Sequence, residues 1–157
     1  MANIREPAKS LAQYLLYNES MKPIRQLTKI CEQFSLDILY AFGSRGQDAA
    51  RFVLENLPMP ASSSDLDIGV LPAHPLDVHE KVALAIALED LFDVNRVDLV
   101  VLPEADPFLS ANVIRGERIY ERDAYQADEY DLYILRRAGD LIPLEQERLA
   151  LIMEKLK

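Results

Sequence analysis

The chain has 157 residues, half of them hydrophobic and 27% charged, enough for one core of ordinary size and too few for two enzymatic domains. Its formal net charge of -9 argues against a general nucleic-acid coat, because that affinity comes from neutralising phosphates with Lys and Arg. One cysteine and two histidines allow no internal disulfide and almost nothing for a zinc site or a His-based triad. No apolar run is long enough to span a bilayer and no signal-type leader opens the chain, so a cytoplasmic location is expected.

Residues 5–17 place Ala8, Leu11, Ala12, Leu15 and Leu16 at helical spacing, which predicts a first helix with one apolar face. A break over 18–21 follows, and Pro23 opens a second helix striped by Ile24, Leu27, Ile30, Cys31 and Phe34. Cys31 reads as a small core residue, since no neighbouring His or cationic pair would activate a thiol there. Residues 37–42 predict a short strand, ended by Gly43. A helix over 49–57 leads into "PMPASSS", a loop by composition, and the second strand starts at Leu66.

Asp77 stands three residues before Glu80, the spacing of a capping box, and opens a mostly buried helix over 78–92. Residues 96–102 predict a third strand, and their unbroken Val and Leu content suggests a central position. A short edge strand begins after Gly116. Tyr120, Tyr125, Tyr130 and Tyr133 read as packing residues. Arg115, Arg118 and Arg122 read either as contacts to phosphates or an acidic partner, or as a solvated charged face. The tail 144–156 carries Leu144, Leu149, Ile152, Met153 and Leu156 on one side of a helix, a face for either the domain's own core or a partner. Together these elements predict a single α/β (α+β) domain over 1–157: a small mixed sheet flanked by helices, with helices about 5–17 and 144–156 added at its ends.

Three features carry chemistry. The first strand ends in "FGSRG", where Gly43 permits a tight turn close to a ligand and Ser44 and Arg45 offer a hydroxyl, an amide and a cation. "SSSDLDIGV" sends Asp65 and Asp67 to one face of the second strand, an arrangement suited to a hard divalent cation such as magnesium. Asp98 opens the next apolar strand at the same place, one helix later. Three carboxylates at one end of a sheet, beside a Gly-Ser turn, make a two-metal phosphoryl-transfer site.

The order "GS", "DLD", a helix, then the Asp of "DLVVL" resembles the nucleotidyltransferase superfamily with the DNA polymerase β-type fold, and within it the minimal nucleotidyltransferases, antitoxin partners of HEPN-domain toxins. The resemblance covers roughly residues 22–123. It implies a polymerase β-type fold, with Gly43, Ser44, Arg45 and Ser64 binding the nucleotide and Asp65, Asp67 and Asp98 both catalytic and ligands of one or two Mg2+ ions. It implies ATP as substrate, a HEPN toxin as partner, and AMP transfer to a tyrosine of that toxin. A non-catalytic antitoxin of the same fold, or an enzyme modifying a small molecule such as an aminoglycoside, are the alternatives. Neither a membrane nor direct nucleic-acid binding is expected, whereas a homo-oligomer is compatible. The sequence departs from the family in one place: twenty residues, Arg45 to Ser64, separate the Gly-Ser pair from the first Asp, a longer interval than usual. Loop-closure entropy grows only logarithmically with length, so the two halves of the site can still meet across it.

Overall fold

A computed structural model, describing residues 10–156, resolves the chain into one mixed sheet with helices on both faces. In chain order the elements are α1 (Leu11–Met21), α2 (Pro23–Gln33), β1 (Leu36–Phe42), α3 (Gly46–Glu55), β2 (Leu66–Pro72), α4 (Val78–Phe92), β3 (Val97–Val101), α5 (Pro107–Ile114), β4 (Glu117–Glu121) and α6 (Ala124–Lys155). Short 3-10 turns follow β1 and β3. The strand order is β3-β2-β1-β4, with β1 antiparallel to both neighbours and β2 parallel to β3 across α4.

β1 is apolar at nearly every position because both of its faces are covered. Leu39 and Ala41 join Leu66, Ile68 and Val70 of β2 in a core closed by Leu27, Cys31, Ala49, Val53, Leu84, Leu88 and Phe92 of α2, α3 and α4. Ile38, Tyr40 and Phe42 face the other way and pack with Leu102, Val113 and Ala127 beneath α5 and α6. Each fully buried Leu contributes ~1.5–3 kcal/mol relative to exposure, so the first cluster dominates the fold. Burial also raises the Cys31 thiol pKa, in keeping with an inert core residue.

Strand alternation then fixes where the polar residues go. With Leu66, Ile68 and Val70 committed to the α2–α4 face, Asp67 and Gly69 turn toward α5 and α6. Gly69 is required there: a Cβ would run into Val113 Cγ1 and stand 3.4 Å from Val113 Cβ, so α5 can lie against β2 only over bare backbone. The capping box of α4 is formed, Asp77 accepting from the Glu80 amide at 2.8 Å and Glu80 from the Asp77 amide at 2.8 Å.

Several expectations need correction. The first helix, as far as it lies within the described residues, starts at Leu11 after Ser10, which caps it in a box with Gln13. It runs through the expected break to Met21, because the backbone preference imposed by Pro23 falls on Lys22, which leaves the helix with ψ 135. Leu11, Leu15 and Leu16 are exposed and α1 buries no residue. The expected helix over 49–57 starts earlier, at Gly46, and stops at Asn56 in the left-handed region. α4 is buried along Leu84, Leu88 and Phe92 only; Val78, Val82 and Ile86 are exposed.

β3 is an edge strand: it pairs with β2 alone, and Asp98, Leu99 and Val100 are only partly buried. α5 lies where no element was expected. The tail helix is the second half of α6, which begins at Ala124 and continues through Pro143. Leu144, Leu149, Ile152, Met153 and Leu156 are all exposed, so that stripe is not part of the domain's own core. Tyr120 and Tyr130 pack against the core clusters, but Tyr125 and Tyr133 are 69% and 53% exposed. Arg118 and Arg122 are engaged within the chain, Arg118 with Glu121, Asp128 and Asp131, and Arg122 with Asp37. No helix among the described residues is long and apolar enough to cross a membrane.

Candidate active site

The end of β1 and the starts of β2 and β3 come together at one end of the sheet. In the register, Phe42 is opposite Asp67 and Asp67 is opposite Asp98, so the last residue of β1 and two acids stand in one row across three strands. Asp65 lies two residues before Asp67 and Asp98 one strand over, and the parallel pairing keeps the side chains of Asp67 and Asp98 on the same face of the sheet. The start of β3 is pinned from two sides. The Val97 amide donates to Glu89 Oε1 of α4 at 3.1 Å, and the Leu66 amide donates to the Arg96 carbonyl at 3.0 Å.

Gly43 closes the row. Its φ of 69 lies in the left-handed region, and a Cβ there would collide with Asp67 Oδ2 and stand 3.3 Å from Asp67 Cγ. Glycine therefore supplies both the turn and the room for the carboxylate. Gly43 and Ser44 are exposed, leaving the turn's amide and hydroxyl open to a ligand, and Gly46 opens α3 directly beyond it. The turn and the acids that the sequence singled out are thus neighbours, despite the twenty residues between them.

The electrostatics are those of crowded anions. Burial, then the charges of Asp98 and Asp65, push the Asp67 pKa above the usual carboxylate value. Sequence reasoning missed the residue that answers this repulsion: Arg96 donates from Nη2 to Asp98 Oδ1 at 2.9 Å, with its Nε 3.8 Å from Asp65 Oδ2. With Asp65 and Asp98 engaged in this way, no group of three or more His, Cys, Asp or Glu side chains among the described residues is gathered as a ready-made metal site. The donor set nevertheless fits a hard divalent cation. It consists of carboxylate oxygens from Asp65, Asp67 and Asp98, whose mutual repulsion a cation would relieve, and the Arg96 side chain that now answers it is itself 67% exposed.

Arg45 and Ser64 meet where the long loop returns to the turn. Arg45 is buried, and its guanidinium donates to the carbonyls of Pro60 at 2.8 Å and Ser64 at 3.2 Å. Ser64 is exposed, and its amide donates to Ser62 Oγ. A cavity of about 430 Å³ lies at the opposite end of β1, lined by Asp37, Leu71, Arg122, Tyr130 and Tyr133 among others, and includes none of the three acids.

The model of the family "Polymerase beta, Nucleotidyltransferase" matches residues 25–125, the span from α2 to the start of α6. Among curated proteins none matches. The fold is similar to a chain of a toxin–antitoxin complex crystallised with AMP-PNP, at 27% identity and a TM-score of 0.61, covering 85% of this chain and 98% of that one. It is also similar to a chain of the complex of tri-AMPylated HEPN toxin with MNT antitoxin from Shewanella oneidensis, at 26% identity and a TM-score of 0.58, covering 86% and 97%. A chain of the MntA–HepT toxin–antitoxin complex matches at 25% identity and a TM-score of 0.57, over 86% and 97%. A mixed sheet that sets a Gly-Ser turn beside paired aspartates, a family model that spans most of the domain, and these likenesses agree: the chain belongs to the polymerase β nucleotidyltransferase family, as a minimal nucleotidyltransferase.

Proposed function

We propose that this nucleotidyltransferase is an antitoxin that transfers AMP from ATP to a tyrosine hydroxyl of a HEPN-type toxin in the cytoplasm, in a magnesium-dependent reaction. The observation that carries the reading is the row Phe42, Asp67, Asp98 across three strands, with the Gly43 turn against Asp67 and Asp65 two residues before it. The tri-AMPylated HEPN toxin in one similar complex supports the choice of acceptor, and AMP-PNP in another supports ATP as donor.

Asp65, Asp67 and Asp98 would hold magnesium, which when bound offsets charge on the triphosphate and acidifies the attacking hydroxyl. The chain's own residues do the rest. The Gly43–Ser44 turn presents its amide and hydroxyl to the β- and γ-phosphates, keeping the leaving group in line with the acceptor oxygen. Asp98 takes the proton as that oxygen bonds to the α-phosphorus. The bond from the α-phosphorus to the bridging oxygen breaks, and pyrophosphate leaves with the electron pair. Arg96, displaced from Asp65 and Asp98, is then a cation at the edge of the site.

The test is intact-mass measurement of a HEPN toxin incubated with ATP, magnesium and this protein. One or more AMP masses on the toxin are expected, localised to tyrosine, and lost with Asp65→Asn or Asp67→Asn. An unmodified toxin that is neutralised equally by the wild type and both variants would sink the enzymatic reading in favour of occlusion.

A further inference from the structure

The twenty-residue interval poses a mechanical problem: α3 carries the chain away from Ser44, and a loop that packs on the core through Met59 has to deliver Asp65 back to it. Residues 60–64 are all exposed, and the loop's own hydrogen bonds are local, such as that between Ser62 and Ser64. Among the described residues, the two side-chain hydrogen bonds that reach it from elsewhere both come from Arg45, the residue after Ser44. One of them is to the carbonyl of Ser64, the residue before Asp65.

Arg45 is 5% exposed, its Nε has no hydrogen-bond partner, and it forms no ion pair with a carboxylate among the described residues. A buried guanidinium met only by carbonyl dipoles is a costly arrangement, and the fork geometry of Arg suits two carbonyls at once. The feature is explained if the side chain acts at a distance from the reacting atoms.

We infer that Arg45 is a positioning residue, a clasp that fixes the loop's return and so places Asp65 beside Asp67 and Asp98, and that it does not contact the triphosphate. The inference rests on the reading of these acids as cation ligands. A short interval would need no such device; a long one makes the clasp the link between the Gly-Ser turn and the Asp pair.

The test compares wild type, Arg45→Gln and Arg45→Lys by hydrogen exchange and by Mn2+ titration of the protein without toxin, followed by steady-state kinetics. In Arg45→Gln the hydrogen-bonded amides at the loop's return, Ser64 to Ser62 Oγ and Leu66 to the Arg96 carbonyl, exchange at least tenfold faster and Mn2+ affinity falls about tenfold. Its kcat falls while the KM for ATP moves less than threefold. Arg45→Lys, which keeps the charge but loses the fork, lies between the two, and it provides the readout if Arg45→Gln does not fold. Unchanged loop exchange and Mn2+ affinity in both folded variants would overturn the clasp. A raised KM for ATP with unaltered Mn2+ affinity would overturn it too, by making Arg45 a phosphate contact. Wild-type protein that takes up no Mn2+ would overturn the catalytic reading of the acids, and the clasp with it.

Discussion

Replacing Gly43 with alanine should disrupt the site through two separable costs. The residue sits at φ 69, where a non-glycine residue loses roughly 1–2 kcal/mol. The new methyl would also collide with Asp67 Oδ2, at 3.3 Å from Asp67 Cγ, so the carboxylate has to leave its rotamer at about 0.5–1.5 kcal/mol. Together these give about 1.5–3.5 kcal/mol, a fall in Tm of roughly 7 °C for a domain of this size. Activity should fall further than stability, on the order of 10²-fold, because an Asp67 shifted by about 1 Å no longer meets Asp98 in register. The assays are thermal melts and AMP transfer, each run for Gly43→Ala, Asp67→Ala and the double variant. With the Asp67 carboxylate removed only the backbone strain should remain, so the double variant should be more stable than the sum of the single effects predicts. Strict additivity, or Gly43→Ala with near wild-type transfer, would refute the proposed contact.

Asp67→Asn should abolish transfer yet raise Tm at neutral pH in the absence of metal. The sign follows from the raised pKa of Asp67. The folded state binds that proton more tightly than the unfolded state, so its ionisation destabilises the fold as pH rises through the raised pKa, and the advantage of Asn should vanish below the ordinary carboxylate pKa. Melts from pH 3.5 to 7.5 test this. Arg96→Gln should tighten Mn2+ binding about fivefold by removing the cation that competes for Asp65 and Asp98, as read by titration; weaker binding would contradict that competition. Leu88→Ala should cost about 2–5 kcal/mol, whereas Leu149→Ala on the exposed end of α6 should stay within ~0.5 kcal/mol, both measured by denaturant unfolding.

The parts of the fold legible in the sequence were those written in local chemistry. The capping box of α4, the Pro start of α2 and the glycine that ends β1 each act within a few residues, and their elements lie where the sequence put them. The position of β3 was not legible, since an unbroken apolar run is compatible with an edge strand whose face is covered by α4. α6 was hidden by Pro143, which reads as a start signal although here the helix passes through it. In the site, the acids and the turn were recognisable from residue type and spacing, but the partners of the two neighbouring cations were not. Arg96 looked like the plain start of a strand, and its link to Asp65 depends on the parallel register. Arg45 looked like a ligand for phosphate, and its turn onto the Pro60 and Ser64 carbonyls depends on where a long loop returns. A signal for Arg96 did exist: a cation two residues before Asp98, which the register sets beside Asp65.

The helix inside the long interval also separates the integrity of the site from the covalent continuity of the chain. α3 is anchored by Ala49, Ala50 and Val53 in the core, and Asp65 is carried by β2, which is laddered to β1 on one side and β3 on the other. Between these anchors the backbone turns at Asn56 with φ 56 and crosses exposed Leu57 and Pro58 before reaching the Pro60 and Ser64 carbonyls. A peptide bond cut at Leu57 would leave every one of those attachments in place on one fragment or the other. The enzyme is in this sense two interlocked pieces, and the exposed tip at 56–58 should tolerate opening, lengthening or new termini, which the melting and transfer assays on a chain nicked there would read.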